Sequence, residues 1–264
     1  MNKWVKKSFE LVKEKHYLDR LLEVYTAEET SRDLKTEEAS SSLKSLYKNK
    51  DGKGFIKELI RLKKIGFKFP IENPYISFLS HYSAAVDKNP KTVKKLSGIL
   101  FKMDYDDIVG RLEEPKKASR RIGPMFKFWI NKNFRVLDKE AFDDSKVTSF
   151  LAGSDTALKD FAESGLQCKF IKFSKGLDFV AKTRTKYVVG TTKLITDFGG
   201  SQDNGFLEAI RLVRYAKCPK NVKRLAIIDG VAWLGGNMKA ALECLEEGEV
   251  CISVLLLEDY LKTI

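Results

Sequence analysis

An aspartate and a lysine on consecutive predicted strands, Asp178 and Lys193, are the strongest candidates for chemistry in this sequence. Asp178 opens the predicted strand 177–182, and Lys193 lies in the predicted strand 186–194, after a turn around Arg184. Neighbouring antiparallel strands bring facing side chains close together. We therefore expect the two groups to meet at one edge of a cleft, where they would offer an anionic oxygen and a positive charge to the same substrate.

The charge of the chain favours a polyanionic partner. The 264 residues include 48 Lys and Arg against 36 Asp and Glu, a formal net charge of +12, and 43% are hydrophobic, enough for a real core. Positive charge attracts phosphates and releases counterions on contact with DNA or RNA. An anionic membrane would attract the same charge, but the sequence lacks an apolar run of about 18 residues. A solvated Lys-rich surface without a partner is the plainer alternative.

Several other kinds of site are excluded by the residue types. The four cysteines form no CxxC pair, which excludes a zinc finger and argues against a disulfide framework. His16 and His81 lie in the predicted helical half, away from any nucleophile. The sequence contains no Walker loop, no GxGxxG after a strand, no GxSxG and no HExxH. Charges interrupt every apolar run near the N-terminus, so we expect no signal peptide and a cytoplasmic protein.

The segment 176–193 resembles the core of the PD-(D/E)xK nucleases, in which an acid on one strand is followed by acid-x-Lys on the next. Asp178 matches the first acid, with Leu177 in place of proline, and Lys193 matches the lysine. The resemblance implies a type II restriction endonuclease with an α/β fold, a mixed sheet flanked by helices. It also implies that both acids bind Mg²⁺ and that the lysine positions or activates water. A phosphodiester, being anionic, needs hard oxygen ligands for the metal and a cation near the nucleophile.

Thr191 occupies the position of the second acid, as a candidate catalytic residue and metal ligand, and it is not acidic. Its hydroxyl would give Mg²⁺ a neutral oxygen in place of an anionic one. Three explanations stay open: a variant in which Thr191 replaces a glutamate, which we favour slightly; a carboxylate from elsewhere; or weak or absent catalysis. Glu163 is the first substitute, because the superfamily often draws a further acid from the preceding helix. Asp197 is the next, because it shares the strand alternation of Thr191.

Residues 196–206, TDFGGSQDNGF, extend the resemblance to type II enzymes with a TDFGG-x-Q loop. Together with a GPMF-containing helix upstream, the similarity covers residues 90–228. Glycines 199 and 200 permit close backbone approach, and we expect the loop to read base edges. The side chains that would do so are Ser201, Gln202, Asp203 and Asn204. A glycine-rich turn that caps the next helix is the alternative.

Hydrophobic spacing predicts a helical half followed by a mixed half within one compact body. Residues 1–145 form the expected helical DNA-binding region, and residues 146–264 the expected catalytic core. In the core, a helix begins after an N-cap at Ser154 and ends at Gly165. Asp229, at the end of a buried strand, is a further candidate carboxylate, although capping a turn is the favoured role. The other predicted strands are 167–173, 224–228 and 250–257, and the other predicted helices are 204–216 and 237–247.

Basic side chains of the helical half are the predicted phosphate contacts. The predicted helices 90–102 and 105–114 resemble a helix-turn-helix, with Lys91 and Lys94 at the start of the first. An ordinary helical hairpin is the favoured alternative. Arg120 and Arg121 precede an aromatic helix, and we expect them to point outward while the aromatic face is buried.

These features predict Mg²⁺-dependent, site-specific hydrolysis of double-stranded DNA in a bacterial or archaeal cytoplasm. A homodimer is expected, because protein symmetry then mirrors the symmetry of the DNA site. The alternative is a catalytically inactive, sequence-specific DNA-binding protein with a nuclease-like fold, in which Thr191 is natural. A repair or transposition nuclease is a third class, which would cut by DNA structure rather than sequence.

Overall fold

A computed structural model describes residues 1–26, 37–82, 84–114 and 122–264, with the side chains of the third helix described from residue 41. The chain separates into two compact units, one made of Met1–Ala27 with Ala118–Ile264 and the other of Glu28–Lys117. This division differs from the predicted boundary at residue 145. The reason is that the first helices, and the aromatic helix after residue 121, bury their apolar faces against the sheet.

The first unit contains a mixed sheet and the helices that cover it. Its helices are α1 (Lys3–Leu11), α2 (Tyr17–Val24), α9 (Ile122–Asn133), α10 (Lys139–Asp144), α11 (Asp155–Ser164), α12 (Gly200–Tyr215), α13 (Gly236–Glu243) and α14 (Leu257–Lys262). Its strands are β1 (Arg135–Leu137), β2 (Ser149–Leu151), β3 (Phe179–Lys182), β4 (Tyr187–Ile195), β5 (Val222–Gly230) and β6 (Val250–Ile252). This α/β architecture with a flanked mixed sheet confirms the predicted fold class.

The strands lie in the sheet in chain order, from β1 to β6. Strand β3 is antiparallel to both β2 and β4, whereas β5 is parallel to both β4 and β6. The longest pairing joins β4 and β5, from Tyr187 opposite Val222 to Ile195 opposite Gly230. Strand β4 is therefore held along both edges, which fixes the direction of its alternating side chains.

Two apolar layers sandwich the central strands. On one face, Phe126 of α9 packs against Phe150 and Phe179 in a core that also includes residues of α2 and α14. On the other face, α11 and α12 contribute Leu158 and Leu212 to a core with the sheet. A helix begins at Ser154 as predicted, since the Ser154 hydroxyl accepts a hydrogen bond from the Ala157 N–H at 3.2 Å.

Some predicted elements were wrong. Residues 167–173 form no strand and make one isolated bridge, between Lys169 and Lys217. The predicted strand 250–257 ends at Ile252, where the Ser253 side chain accepts from the Leu255 N–H and a turn leads into α14. Strands β1 and β2, three residues each, were missed because so short a run has no detectable alternation.

The second unit is a bundle of helices: α3 (Glu37–Lys48), α4 (Gly52–Lys64), α5 (Tyr75–His81), α6 (Ala85–Lys88), α7 (Pro90–Leu100) and α8 (Tyr105–Glu113). Its core is aliphatic and aromatic, with Phe55, Leu59, Leu96, Leu100 and Ile108 nearly inaccessible to solvent. Among the described residues of both units, no helix is long and apolar enough to cross a membrane.

Candidate active site

Asp178 and Lys193 meet at the point where β3 begins and β4 approaches its end. The Asp178 N–H donates to the Gly190 carbonyl at 3.0 Å, which sets Asp178 opposite Thr191. Lys193 follows two residues later on the same face of β4, and its Nζ lies 3.2 Å from Asp178 Oδ2. The expected convergence of a carboxylate and an ammonium group is therefore present in the structure.

A glycine of β4 gives space to the aromatic ring beside Asp178. Phe179, next to Asp178, lies over Gly190 of β4, and a Cβ at position 190 would fall 2.1 Å from Phe179 Cζ. A side chain there would displace the Phe179 ring and would also meet the Leu225 carbonyl of β5, 2.7 Å from the added Cβ. Gly190 thus leaves room for the residue that directly follows Asp178.

The Asp178 carboxylate is surrounded by donors on one side. Its Oδ2 accepts from the Thr191 hydroxyl at 2.6 Å, the Thr192 N–H at 2.8 Å and Lys193 Nζ. Lys193 Nζ also donates to Thr191 Oγ1 at 2.7 Å and to the Thr192 carbonyl at 2.8 Å. The Asp178 and Lys193 side chains are 12% and 21% exposed, so the pair is held rigidly yet stays open on one side.

The second carboxylate oxygen, Oδ1, faces the start of α9. A Cβ added at Gly123 would lie 3.8 Å from Asp178 Oδ1, an ordinary contact distance. Asp178 also lines a small cavity of about 140 Å³ together with Lys127 of α9. One oxygen of Asp178 is therefore committed to the strand β4 donors, and the other faces the start of α9.

The donor set offers Mg²⁺ one carboxylate oxygen. Thr191 Oγ1 already donates to Asp178, and the described residues contain no group of three or more His, Cys, Asp or Glu side chains that could hold a metal. Mg²⁺ in nucleic-acid enzymes is often bound through one or two carboxylates, with waters and substrate phosphates completing its shell. Asp178 Oδ1 supplies one carboxylate oxygen, which is the smaller of these numbers. The site therefore fits a metal that the protein and the substrate would hold together.

The substitute acids predicted from the sequence are not brought to this pair. Glu163 lies in the last turn of α11, where its Oε1 is 4.0 Å from Lys159 Nζ. The first turn of α11 is the part beside Asp178, because the Leu177 N–H donates to the Asp155 carbonyl at 3.0 Å. Eight residues of helix separate these positions by about 12 Å. Glu163 therefore lies about two helical turns away from the part of α11 that is next to Asp178.

Asp155, which the sequence interpretation missed, is the acid at the near end of α11. Its Oδ1 accepts from Lys127 Nζ at 2.7 Å. Asp197, the other predicted substitute, follows β4 and accepts from the Phe198 N–H at 2.8 Å. Within the part of the chain that the structure describes, no hydrogen bond or ion pair joins Asp197 to Asp178 or Lys193.

The residues predicted to form a base-reading loop belong to the first turn of α12. The helix begins at Gly200, because Gly199 and Gly200 adopt positive φ angles of 97° and 56° and complete the turn without a Cβ penalty. Ser201, Gln202, Asp203 and Asn204 therefore lie on the helix and not in a loop.

This helix start is close to the ion pair. A Cβ at Gly205 would lie 3.8 Å from Lys193 Cδ. Asp203 accepts from the Gly199 N–H at 3.0 Å and so caps the turn, the alternative considered for it. Ser201 and Asn204 are exposed, and Gln202 is half-buried.

Asp229 takes part in a buried network behind β4. Its carboxylate accepts from the hydroxyls of Tyr17 (3.2 Å), Tyr25 (3.0 Å) and Ser253, and from the Val254 N–H. Burial raises the pKa of Asp229 to about 6, although these donors act in the opposite direction. Asp229 has 0% exposure, so it is neither an accessible catalyst nor a surface turn cap. It joins α2, β5 and the turn after β6.

The basic residues predicted to contact phosphate lie in different parts of the chain. Lys91 and Lys94 are exposed on α7, and Lys94 lines a cavity of about 470 Å³ with Lys50 and Lys53. Helices α7 and α8 share the bundle core, as the helical-hairpin alternative requires. The predicted contacts at positions 120 and 121 lie outside the described residues.

Comparison with known proteins identifies the family. The family model described as Tsp45I type II restriction enzyme matches residues 2–264. The comparisons with curated proteins and with solved structures gave no match. Since the family match covers nearly the whole chain, this protein belongs to the Tsp45I family of type II restriction enzymes, which are site-specific deoxyribonucleases.

Proposed function

We propose that this restriction enzyme hydrolyses both strands of double-stranded DNA in a Mg²⁺-dependent reaction of the PD-(D/E)xK type, with Asp178 and Lys193 in its active site. The observation that carries the proposal is the 3.2 Å contact between the two side chains in a partly exposed position. An anionic oxygen and a cation side by side suit an anionic phosphodiester, which needs both a metal ligand and charge stabilisation.

Each residue of the pair would have a separate role. Asp178 would hold the metal through Oδ1, since Oδ2 is occupied by three donors. When bound, Mg²⁺ would polarise the scissile phosphate and stabilise the charge that develops on it. Lys193 would orient the attacking water or a phosphate oxygen, because its ammonium group is held by the Thr191 hydroxyl and the Thr192 carbonyl.

The first turn of α12 supports DNA contact near the ion pair. N–H groups at the start of a helix attract phosphate, and Ser201 and Asn204 are exposed donors on this turn. The exposed lysines Lys91 and Lys94 of the second unit would add contacts to the DNA backbone. A homodimer, which would match a symmetric DNA site, and a cytoplasmic location complete the proposal.

Thr191 favours a second candidate, a sequence-specific DNA-binding protein that has lost catalysis. Its hydroxyl donates to Asp178, where the resemblance expects a second metal-binding acid. In the parts of the chain described, no cluster of acids compensates for it. A natural threonine at this position would leave binding intact and weaken the hold on Mg²⁺.

Incubation of plasmid DNA with Mg²⁺ tests the proposal and separates the two candidates. The unchanged protein and Thr191→Glu would be compared, each with and without Asp178→Asn. Discrete fragments that require Asp178, in either background, support the nuclease, and sequencing their ends would give the recognition site. A sequence-specific gel shift without cleavage in both backgrounds supports the binder. Cleavage that survives Asp178→Asn would contradict the proposed active site.

A further inference from the structure

Two cysteines distant in sequence face each other beside an isolated β-bridge. Lys169 and Lys217 form an antiparallel bridge in which each N–H donates to the other carbonyl, at 2.7 and 2.9 Å. The next residues outward, Cys168 and Cys218, are therefore directly opposite in a non-hydrogen-bonded position. Such pairs have Cα atoms about 4.5 Å apart, within the range that a disulfide spans.

The two thiols differ in environment. Cys168 is 3% exposed, whereas Cys218 is half-buried. The hydrogen bond between the two thiols lowers the pKa of Cys218, to which the nearby Arg224 guanidinium also contributes, and it raises the pKa of Cys168. Arg224 is fixed in place because it donates to the Ala216 carbonyl at 2.6 Å. Cys218 thus has the features of an attacking thiolate, and Cys168 those of a resolving thiol.

A basic cavity leads to Cys218. The cavity has a volume of about 880 Å³, and its wall includes Cys218, four lysines and Arg224, against the carboxylates of Glu246 and Glu247. The lysines are Lys3, Lys217, Lys220 and Lys223. An anionic reagent small enough to enter would be attracted by these cations and would reach Cys218 first.

We propose that Cys168 and Cys218 form a redox-active dithiol that an anionic low-molecular-weight disulfide converts into an intramolecular disulfide. The Cys218 thiolate attacks one sulfur of the reagent, breaks its S–S bond and releases one thiolate. The released thiolate takes the proton of Cys168. The Cys168 thiolate then attacks Cys218 Sγ and displaces the second reagent thiolate, so two protein thiols are oxidised and one reagent disulfide is reduced to two thiols.

The resulting bond would join the segment between α11 and β3 to the segment between α12 and β5. The first segment leads into the strand pair that carries Asp178 and Lys193, and the second follows α12. Along the chain, one segment therefore precedes β4 and the other follows it. A covalent link between them restricts the unfolded chain, so the oxidised protein should melt at a higher temperature than the reduced protein.

Treatment of the full chain with oxidised glutathione, followed by intact-mass and peptide mass spectrometry, tests the proposal. We expect a loss of two hydrogens and a peptide pair linked through positions 168 and 218 that a reductant separates. Free thiols at both positions after prolonged treatment would overturn the proposal. So would a stable glutathione adduct at Cys218 that never resolves.

Single substitutions identify the order of attack. Cys168→Ser should stop the reaction at one glutathione adduct on Cys218, and Cys218→Ser should leave Cys168 unmodified. Cys244→Ser is the matched control, because Cys244 is exposed and unrelated to the pair; it should form the disulfide as the unchanged protein does. Cystamine, a cationic disulfide, should react several-fold more slowly than oxidised glutathione. A faster reaction with cystamine would overturn the assignment of an anionic reagent.

Discussion

The two faces of β4 contribute to the surroundings of two different aspartates, Asp178 and Asp229. Thr191 on one face donates to Asp178, which also has Lys193 as a partner. Thr192, on the other face, shares a hydrogen bond between its hydroxyl and that of Tyr25, and the Tyr25 hydroxyl donates to Asp229. The two threonines are adjacent in sequence, yet one contributes to a partly exposed ion pair and the other to a sealed network of hydroxyls.

The comparison shows that the role open to a carboxylate depends on the groups that contact it and on its burial. Asp229 has hydroxyl and backbone donors, and among the described residues no Lys, Arg or His pairs with it, so burial raises its pKa to about 6. Such a group can connect α2 to the sheet but cannot receive a ligand. Asp178 has a cation beside one oxygen and a side chain that is 12% exposed, and we propose that it serves a metal and a phosphate.

We expect the strongest change in cleavage from a substitution of Lys193, on the face of β4 that carries the proposed active site. Lys193→Met keeps an unbranched side chain, one atom shorter, and removes its charge, so we expect cleavage to fall by about 10²- to 10³-fold, while sequence-specific binding persists. Single-turnover cleavage and a gel shift measure the two quantities. Lys239→Met, on a surface pair with Glu243, should have wild-type rates. Equal loss in both variants would show that lysine charge acts only through general DNA attraction.

On the sealed face, Asp229→Ala should affect stability. The substitution leaves the buried hydroxyls of Tyr17 and Tyr25 without their acceptor, and we expect the free energy of unfolding to fall by about 2–4 kcal/mol. Urea unfolding at pH 7 measures it. The matched exposed variant Asp259→Ala should change stability by less than about 0.5 kcal/mol. A small effect of Asp229→Ala would mean that the network contributes little to joining α2 and the sheet.

The stability of the protein should depend on pH through the buried Asp229. Asp229 binds a proton more tightly when folded, since its pKa rises from 3.8 to about 6. Its contribution to stability is therefore greatest below pH 4 and is lost as the pH rises through 6, by up to about 3 kcal/mol. In Asp229→Asn this loss should disappear. Unfolding curves at pH 4, 5, 6 and 7 for the two proteins test the difference, and parallel stability profiles would contradict it.

The smallest effect separates the two threonines. Thr192→Val removes the 3.1 Å contact with Tyr25 and should cost about 1 kcal/mol of stability with little change in cleavage. Thr191→Val removes the hydrogen bond to Asp178 and should alter the Mg²⁺ dependence of cleavage instead. Thermal melting and Mg²⁺ titration of the two variants measure these outcomes. Identical behaviour of both variants would remove the distinction between the faces.

The contact between Asp178 and Lys193 was easier to predict from the sequence than the other contacts of the fold. The pairing of Asp178 with Lys193 follows from two adjacent strands and a turn, which are local features. The position of Glu163 could not be predicted in the same way, because which end of α11 approaches Asp178 depends on tertiary packing. The start of α12 at Gly200 was missed because consecutive glycines indicate a loop unless positive φ angles complete a helix start.

The sealed network and the cysteine pair could not be predicted. Asp229 takes its partners from Tyr17, Tyr25 and Ser253, whose positions in the chain share no motif. Cys168 and Cys218 come together through a single bridge between irregular segments. Contacts of this kind depend on the folded topology, and hydrophobic periodicity contains no information about them.

Cleavage of a plasmid of known sequence over a range of Mg²⁺ concentrations tests whether Asp178 serves a metal-dependent cleavage site. The Thr191→Glu protein would be compared with the same protein carrying Asp178→Asn or, as a control, Asp259→Asn. We predict discrete fragments with Thr191→Glu and with the Asp259→Asn control, and none with Asp178→Asn at any Mg²⁺ concentration. Fragments of equal yield from the Asp178→Asn protein would contradict the account.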